Sequence, residues 1–378
     1  MKILIVTRGY PQSHNSMMGL FEKDQALALK QAGHDIAYAV VDIRSIRRKR
    51  KFGFNHFTEE NGLEIFEMNW PIGPMPRPMM EYFRQEALIN LYPYIFDYFG
   101  KPDIIHAHFL NYAVISVKLA IKEGIPLVIT EHSSYLNADR LTKSVIRRAK
   151  KAYSAASAII SVSDSLAKSI KEKIGFDSIV ISNIASVGQF GIKKNSVGDI
   201  NRFEFASSGL LLERKGFDVL LSAFSEVVKT YPFCRLTIYG DGPEKRKLLT
   251  LTKKLQIENS VEFYGAYKKE EIAELYSKSD AFVLASRRET FGVVYIEAMS
   301  VGLPVIATVC GGPENFVTQR TGYLIEKNNV QQLRDAMLRM IEHRTDFNAQ
   351  YIMDYVRNNF SASAVAAKIT QVYEQILD

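Results

Sequence analysis

Short apolar runs and longer amphipathic stretches alternate along almost the whole chain. Lys2-Ile-Leu-Ile-Val-Thr7 is a run of the first kind. It leads through a polar loop, Arg8 to Met18, into residues 19–32, where apolar side chains recur at helical spacing up to Gly33. An apolar run at 35–41 follows. Further runs lie near 103–107, 125–130, 157–162 and 178–182, and a second series lies at 203–208, 234–239, 260–264, 280–285 and 303–307. Runs of roughly four to eight apolar residues separated by helical patterns read as buried strands of βαβ units. Such units build parallel sheets with helices on both faces. The predicted fold class is therefore α/β, with doubly wound sheets.

The interval 183–202 breaks the alternation. It is polar, contains glycines and has weak periodicity. This predicts an N-terminal domain over 1–185, a linker over 186–202 and a C-terminal domain over 203–355. In the remainder, 356–378, a last helix at 361–377 is expected to cross back onto the first half. A chain of 378 residues is too long for one core, which agrees with two domains.

Composition narrows the class. A hydrophobic share of 47% with 24% charged residues belongs to a globular protein and excludes a disordered one. The two cysteines, Cys234 and Cys310, exclude a disulfide framework and fit a reducing compartment. The first apolar run is too short for a signal peptide, and no apolar run approaches the length of a membrane span. The expectation is a cytosolic protein, peripheral to a membrane at most.

Ligands of doubly wound sheets bind beyond the carboxyl ends of the strands. The stretch Ser286 to Met299 occupies such a place, after the apolar run 280–285. Glu289 falls on the strand-to-helix loop and Glu297 inside the following helix. At helical rise the two carboxylates are about 10 Å apart. Between them, Phe291 and Gly292 offer backbone amides at a helix start, where the helix dipole favours phosphate. Two carboxylates for hydroxyls and a phosphate cradle between them fit a nucleoside-diphosphate sugar. The plain alternative is that acidic residues at a helix start complement its dipole.

Several segments together settle the comparison. Lys215-Gly-Phe-Asp218, Tyr239-Gly-Asp-Gly-Pro-Glu244, Phe263-Tyr-Gly265, Ser286 to Met299 and Gly311-Gly-Pro-Glu314 occur in this order. The chain thereby resembles the family 4 retaining glycosyltransferases over nearly its whole length, most strongly in the second half. The resemblance implies the GT-B fold, two facing Rossmann-like domains with a cleft between them. Lys215 is expected to begin a helix after the run 203–208, and the resemblance implies that it grips the donor diphosphate, that Glu289 hydrogen-bonds the donor sugar and that Glu297 binds the ribose. His132, in Val128 to Ser134, would contact the sugar near the reacting carbon and count with Lys215 and Glu289 as catalytic. Gly312 lies in another segment near the donor. The loop from Gly9 to Gly19, with Tyr10, would lie near acceptor and donor phosphate, Gly19 allowing close backbone approach. The chain departs from the family at Leu210, where an arginine commonly forms a second phosphate clamp. Arg214 is the candidate to compensate.

His106 and His108 end the neighbouring strand and share a face of it. Metal ligation, a structural role for His106 and a cleft role for His108 are the readings open, with no third metal ligand evident. No Asp-x-Asp follows a strand, so no metal or other cofactor is expected, and Lys215 with helix N-termini would stabilise the leaving diphosphate. The resemblance implies retention, by front-face substitution with the departing phosphate helping to deprotonate the acceptor. Closure of the domains would exclude water. A UDP-sugar is the favoured donor and GDP-mannose the next.

Charge bears on the acceptor. Residues 1–190 hold 24 Lys and Arg against 18 Asp and Glu, nearly all of the chain's net +7. One cluster is Arg44 with Arg47 to Lys51, followed by Phe52, Phe54 and Phe57. The other is Lys143, Arg147, Arg148, Lys150 and Lys151, on a helix with Leu141, Val145, Ala149 and Tyr153 as apolar partners. Such clusters suit either anionic lipid headgroups or a solvated face. No nucleic-acid module accompanies them. The expected acceptor is a saccharide or lipid-linked saccharide in bacterial surface polysaccharide or glycolipid assembly. The alternatives are a non-catalytic sugar-nucleotide-binding scaffold and a sugar-nucleotide epimerase of the same fold.

Overall fold

The structure is a computed structural model, and it describes residues 1–11, 19–43, 52–73, 75–138, 140–185 and 201–378. The basic cluster Arg44 to Lys51 and most of the interval 186–202 lie outside the described residues. Two compact units emerge, Met1–Ile184 with Ala362–Asp378, and Ala185–Ser361.

In the first unit the order is β1 (Lys2–Thr7), α1 (Leu20–Gln31), β2 (Asp35–Asp42), β3 (Gly53–Thr58), β4 (Glu64–Asn69) and α2 (Arg77–Phe99). Then come β5 (Ile104–His108), α3 (Phe109–Glu123), β6 (Leu127–Glu131), α4 (Lys143–Tyr153), β7 (Ala158–Ser161), α5 (Asp164–Ile174) and β8 (Ile179–Val180). The sheet order is β3-β4-β2-β1-β5-β6-β7-β8. Residues 3–7 of β1 are all buried, as a central strand covered on both faces requires. Helices start where side chains cap them: the hydroxyls of Thr142 and Ser163 accept from Val145 N and Leu166 N at the heads of α4 and α5.

The α/β class and the doubly wound sheet are as the alternation predicts, with one departure. The sheet is not wholly parallel, because β3 runs antiparallel to β4. Neither strand shows as an apolar run. The edge strand β3, Gly-Phe-Asn-His-Phe-Thr, is partly exposed at every residue but the last, which is exposed. In β4 the buried Glu67 interrupts the pattern and is held by Asn55 across the pair at 3.2 Å.

The second unit contains β9 (Phe203–Ser208), α6 (Phe217–Thr230), β10 (Cys234–Tyr239), α7 (Lys245–Lys254), β11 (Val261–Gly265) and α8 (Ile272–Tyr276). It continues with β12 (Ala281–Leu284), α9 (Val293–Ser300), β13 (Val305–Val309), β14 (Gly322–Glu326), α10 (Val330–Glu342) and α11 (Ala349–Phe360). The order β11-β10-β9-β12-β13-β14 is parallel throughout. The strand β14 at its edge lacks a clear apolar run in sequence. The last helix, α12 (Ala362–Leu377), belongs to the first unit. It packs on α1, and in the turn after that helix His34 Nε2 meets Thr370 Oγ1 at 2.7 Å.

Candidate functional site

In the second unit the chain winds from β9 outward in both directions, so the switch point lies between β9 and β12. Doubly wound sheets bind ligands at the carboxyl ends of the strands flanking such a point. Lys215 reaches it in a different way from the sequence reading. It does not begin a helix but closes a 3-10 turn, Glu213–Lys215, ahead of α6. Gly216 follows in the left-handed region, with φ 66°. A Cβ there would stand 1.9 Å from the carbonyl oxygen of Ala285. Only glycine permits this contact, which presses the turn against the end of β12.

The contact brings Lys215 Nζ to 2.6 Å from Glu289 Oε1. The two side chains are 10% and 8% exposed. Ser286 Oγ donates to the same carboxylate oxygen at 2.8 Å. Ser286 is fixed in turn by Thr308, whose hydroxyl donates to its carbonyl. Arg287 ties the two loops together. Its guanidinium makes a two-pronged pair with Asp218 at 2.9 and 2.7 Å, and its backbone N–H donates to the carbonyl of Arg214 at 2.8 Å. Arg287 is thus a scaffold for the site that the sequence reading missed. Its place in an Arg-Arg pair beside Glu289 was the available signal.

Glu289 lies on the loop before α9 and Glu297 within that helix, where it is 8% exposed. Burial together with the Glu297 charge pushes the Tyr267 hydroxyl up to about 12. Gly292 precedes the first residue of α9. The Phe291 side chain is committed to packing, against Phe316 and Phe360. Gly312 lies against the Phe291 backbone. Arg214 is exposed, and Leu210 is 57% exposed.

In the first unit the switch point lies between β1 and β5. Arg8 follows β1 and pairs with the fully buried Glu22 at 3.0 Å. Its guanidinium carbon lies 4.4 Å from the centre of the Phe109 ring. Phe109 itself has φ 65°, a strained value for a side chain of that size. Its ring centre is 4.9 Å from that of His132. Neither Arg8 nor Phe109 stood out in sequence, where one reads as a loop cation and the other as a helix hydrophobe.

His106, His108 and His132 come together at the ends of β5 and β6. His106 has both ring nitrogens engaged, Nδ1 with Tyr373 Oη at 2.5 Å and Nε2 with Thr130 Oγ1 at 2.6 Å. That decides for the structural reading of His106 over metal ligation. His108 Nδ1 lies 3.0 Å from His132 Nε2. Burial lowers the pKa of all three, to about 3 for His106 and His132, so the rings are neutral at pH 7.

Tyr10 turns out to be a core residue. It is 7% exposed, edge-on to Tyr38 and Phe57, and Lys23 Nζ donates to its hydroxyl. Gly19 makes its close approach to the chain itself, since a Cβ there would stand 2.1 Å from Gly9 O. Residues 12–18 of that loop are outside the described ones.

The helix α4 corrects another expectation. Val145, Ala149 and Tyr153 are buried in the core and are not free for an outside partner. Arg148 is buried too, paired with Glu81 at 2.6 Å and bonded to Asn111. Lys143, Arg147, Lys150 and Lys151 remain exposed.

Two family models divide the chain between them. The model for Glycosyltransferase Family 4 matches residues 23–185, and that for glycosyl transferases group 1 matches 191–359. An uncharacterized glycosyltransferase of Haemophilus influenzae is 35% identical over 144 residues, which span 38% of this chain and 40% of that one. The Bacillus subtilis protein TuaC, named for teichuronic acid biosynthesis, is 25% identical over all of this chain and 99% of its own. Among solved structures, Anabaena HepE in complex with UDP superposes with a TM-score of 0.77 at 20% identity, covering 99% of this chain and 100% of that one. Models on both halves and one fold from end to end lead to a single assignment: the chain belongs to the family 4 glycosyltransferases and has their GT-B fold.

Proposed function

We propose that the protein transfers a sugar from a nucleoside-diphosphate donor to a saccharide or lipid-linked saccharide acceptor, with retention of configuration, in bacterial polysaccharide or glycolipid assembly. The observation that carries this reading is the buried pair Lys215–Glu289 at the switch point of the second unit. A cation and a carboxylate held together out of water give one group for a diphosphate and one for sugar hydroxyls. A carboxylate accepts two hydrogen bonds and so matches a vicinal diol.

In this reading Lys215 neutralises charge on the diphosphate as the glycosidic bond breaks, and Arg214 adds a second, exposed cation. Glu289 holds the donor sugar and Glu297 the ribose. The acceptor hydroxyl attacks the anomeric carbon on the face the diphosphate leaves, and its proton passes to the departing phosphate oxygen. His132, neutral at pH 7, serves as a hydrogen-bonding ring and brings no further charge to the sugar. The base is uracil by preference, because HepE was solved with UDP, with guanine next. Neither metal nor cofactor enters the reading.

The acceptor side rests on charge. Lys143, Arg147, Lys150 and Lys151 project from α4, and each such residue near an anionic bilayer contributes about 1 kcal/mol. No described helix is long and apolar enough to cross a membrane. We place the protein at the inner face of the cell membrane, peripherally bound. Retention by vesicles rich in anionic lipid at low salt, released when the four residues become Gln, supports this placement. No retention refutes it.

Leu210 favours a second reading, a binding scaffold without turnover. One experiment separates the two. Thermal unfolding is followed with UDP, GDP and their sugars, where a ligand at 100 times its dissociation constant adds about 2.7 kcal/mol. Stabilisation by one base only, lost in Glu297→Ala, together with release of nucleoside diphosphate on adding acceptor, supports transfer. Stabilisation without release supports the scaffold, and no stabilisation removes both.

A further inference from the structure

His132 does not stand alone in the first unit. Its Nε2 is 3.0 Å from His108 Nδ1, and the two rings are near-parallel with centres 5.3 Å apart. His108 stacks in turn on His106, at 4.7 Å and 20°. His106 is anchored by Thr130 on β6 and by Tyr373 on α12. His106 and His108 are fully buried and His132 is 8% exposed. A continuous row therefore runs from the last helix of the chain to the imidazole assigned to the donor sugar.

We propose that His106, His108 and Tyr373 are positioning residues that fix the orientation of His132 and couple its tautomer to that of His108. The proposal rests on the reading of His132 as a donor-sugar contact. The chemistry is restrictive. Two neutral imidazoles in an N···N hydrogen bond need one N–H and one lone pair between them. If His108 donates, the His132 proton sits on Nδ1; if His132 donates, its Nδ1 carries a lone pair. Either way the Nε2 of His132 is occupied, and Nδ1 is the ring nitrogen left for a ligand. In the described structure Nδ1 of His132 is buried and makes no hydrogen bond of good geometry, and the Asn183 side chain is the protein group that acts on the ring. A ligand hydroxyl that displaced or joined Asn183 there would satisfy the nitrogen fully.

The row also gives the C-terminal helix a task. Tyr373 holds His106 from α12, whose first residue, Ala362, follows directly on the second unit. Partners that orient a metal-bound imidazole cost roughly 10–100-fold in function when removed, and an effect of that order is expected here.

The test uses the whole protein with labelled histidine rings. His108→Phe keeps a stacking ring and removes the hydrogen bond; Tyr373→Phe removes one hydroxyl and is the milder variant if the first does not fold. Ring-nitrogen NMR at neutral pH should show His132 Nε2 with the shift of a hydrogen-bonded nitrogen in the wild type, lost in His108→Phe. With the donor found in the nucleotide panel, kcat should fall about tenfold or more in His108→Phe and less in Tyr373→Phe, with KM for donor nearly constant. An unchanged His132 spectrum in both variants overturns the proposal, and so does a changed spectrum with unchanged kcat. His132→Ala with full turnover would instead remove His132 from the sugar site, a failure of the proposed function that the spectra of the other variants distinguish.

Discussion

Lys215 and Glu289 are 74 residues apart in sequence and 2.6 Å apart in the fold, with both side chains withdrawn from solvent. Neither could be buried alone without a large desolvation cost. Their meeting depends on Gly216 against Ala285 and on Arg287 bridging Asp218 and the carbonyl of Arg214. The pair is therefore a product of two loops that the sheet order makes neighbours.

Breaking that pair should be costly on both counts. Lys215→Met leaves a buried carboxylate uncompensated, and Glu289→Gln removes the charge with little change of shape. Lys215→Met is expected to lose about 3–5 kcal/mol of stability by urea unfolding. Combining both changes should restore part of the loss. Additive effects of the two substitutions would show that the ion pair contributes nothing. Transfer should be abolished in each single variant.

Gly216→Ala tests the approach of the loop. The added methyl would meet the carbonyl of Ala285 in a backbone conformation alanine disfavours. We expect about 2 kcal/mol or more of destabilisation and a clear loss of donor affinity, since Lys215 must move with the turn. Wild-type affinity measured by calorimetry would uncouple the turn from the site.

Leu210→Arg tests the departure from the family pattern. The side chain is 57% exposed and has room for a guanidinium. A charge-assisted hydrogen bond to phosphate should tighten nucleoside-diphosphate binding by about tenfold. The same variant of Lys215→Ala should recover part of the lost affinity. No change in either background would mean that position 210 does not face the diphosphate.

Acid should weaken the first unit through its buried histidines. A folded pKa below the unfolded value of about 6.5 means that the unfolded chain binds the proton more readily. Stability is then complete above pH 6.5 and declines as pH falls toward about 3, the value to which burial lowers His132. Glu22 and Glu131, whose carboxyl pKa values burial raises, act with the opposite sign. The clean measure is the wild type minus His132→Asn, in which those contributions cancel. This difference should shrink by up to about 1.4 kcal/mol per pH unit below 6.5. A difference that stays level from pH 8 to 4 would show that His132 is not held neutral by the fold.

Some of the site was legible before the fold was seen. Glu289 on a loop and Glu297 in the next helix follow from one apolar run and the helical spacing behind it. The α/β class follows from the same periodicity. The missing strands β3, β4 and β14 carry no continuous apolar run: β3 is at least partly exposed throughout, β14 is irregularly buried, and in β4 the buried Glu67 puts a charge in an otherwise apolar stretch.

The sequence by itself determined the alternation of strands and helices, the glycines at the tight loops and the chemical identity of the candidate groups. These are properties of neighbouring residues, governed by local geometry and by which faces must leave water. Only the tertiary structure decided that Lys215 pairs with Glu289 and that Tyr373 closes a row of three histidines. It also put Tyr10 in the core and turned the apolar face of α4 inward. Such outcomes depend on which strand ends the sheet order sets side by side, and contacts across dozens or hundreds of residues leave no period in the chain.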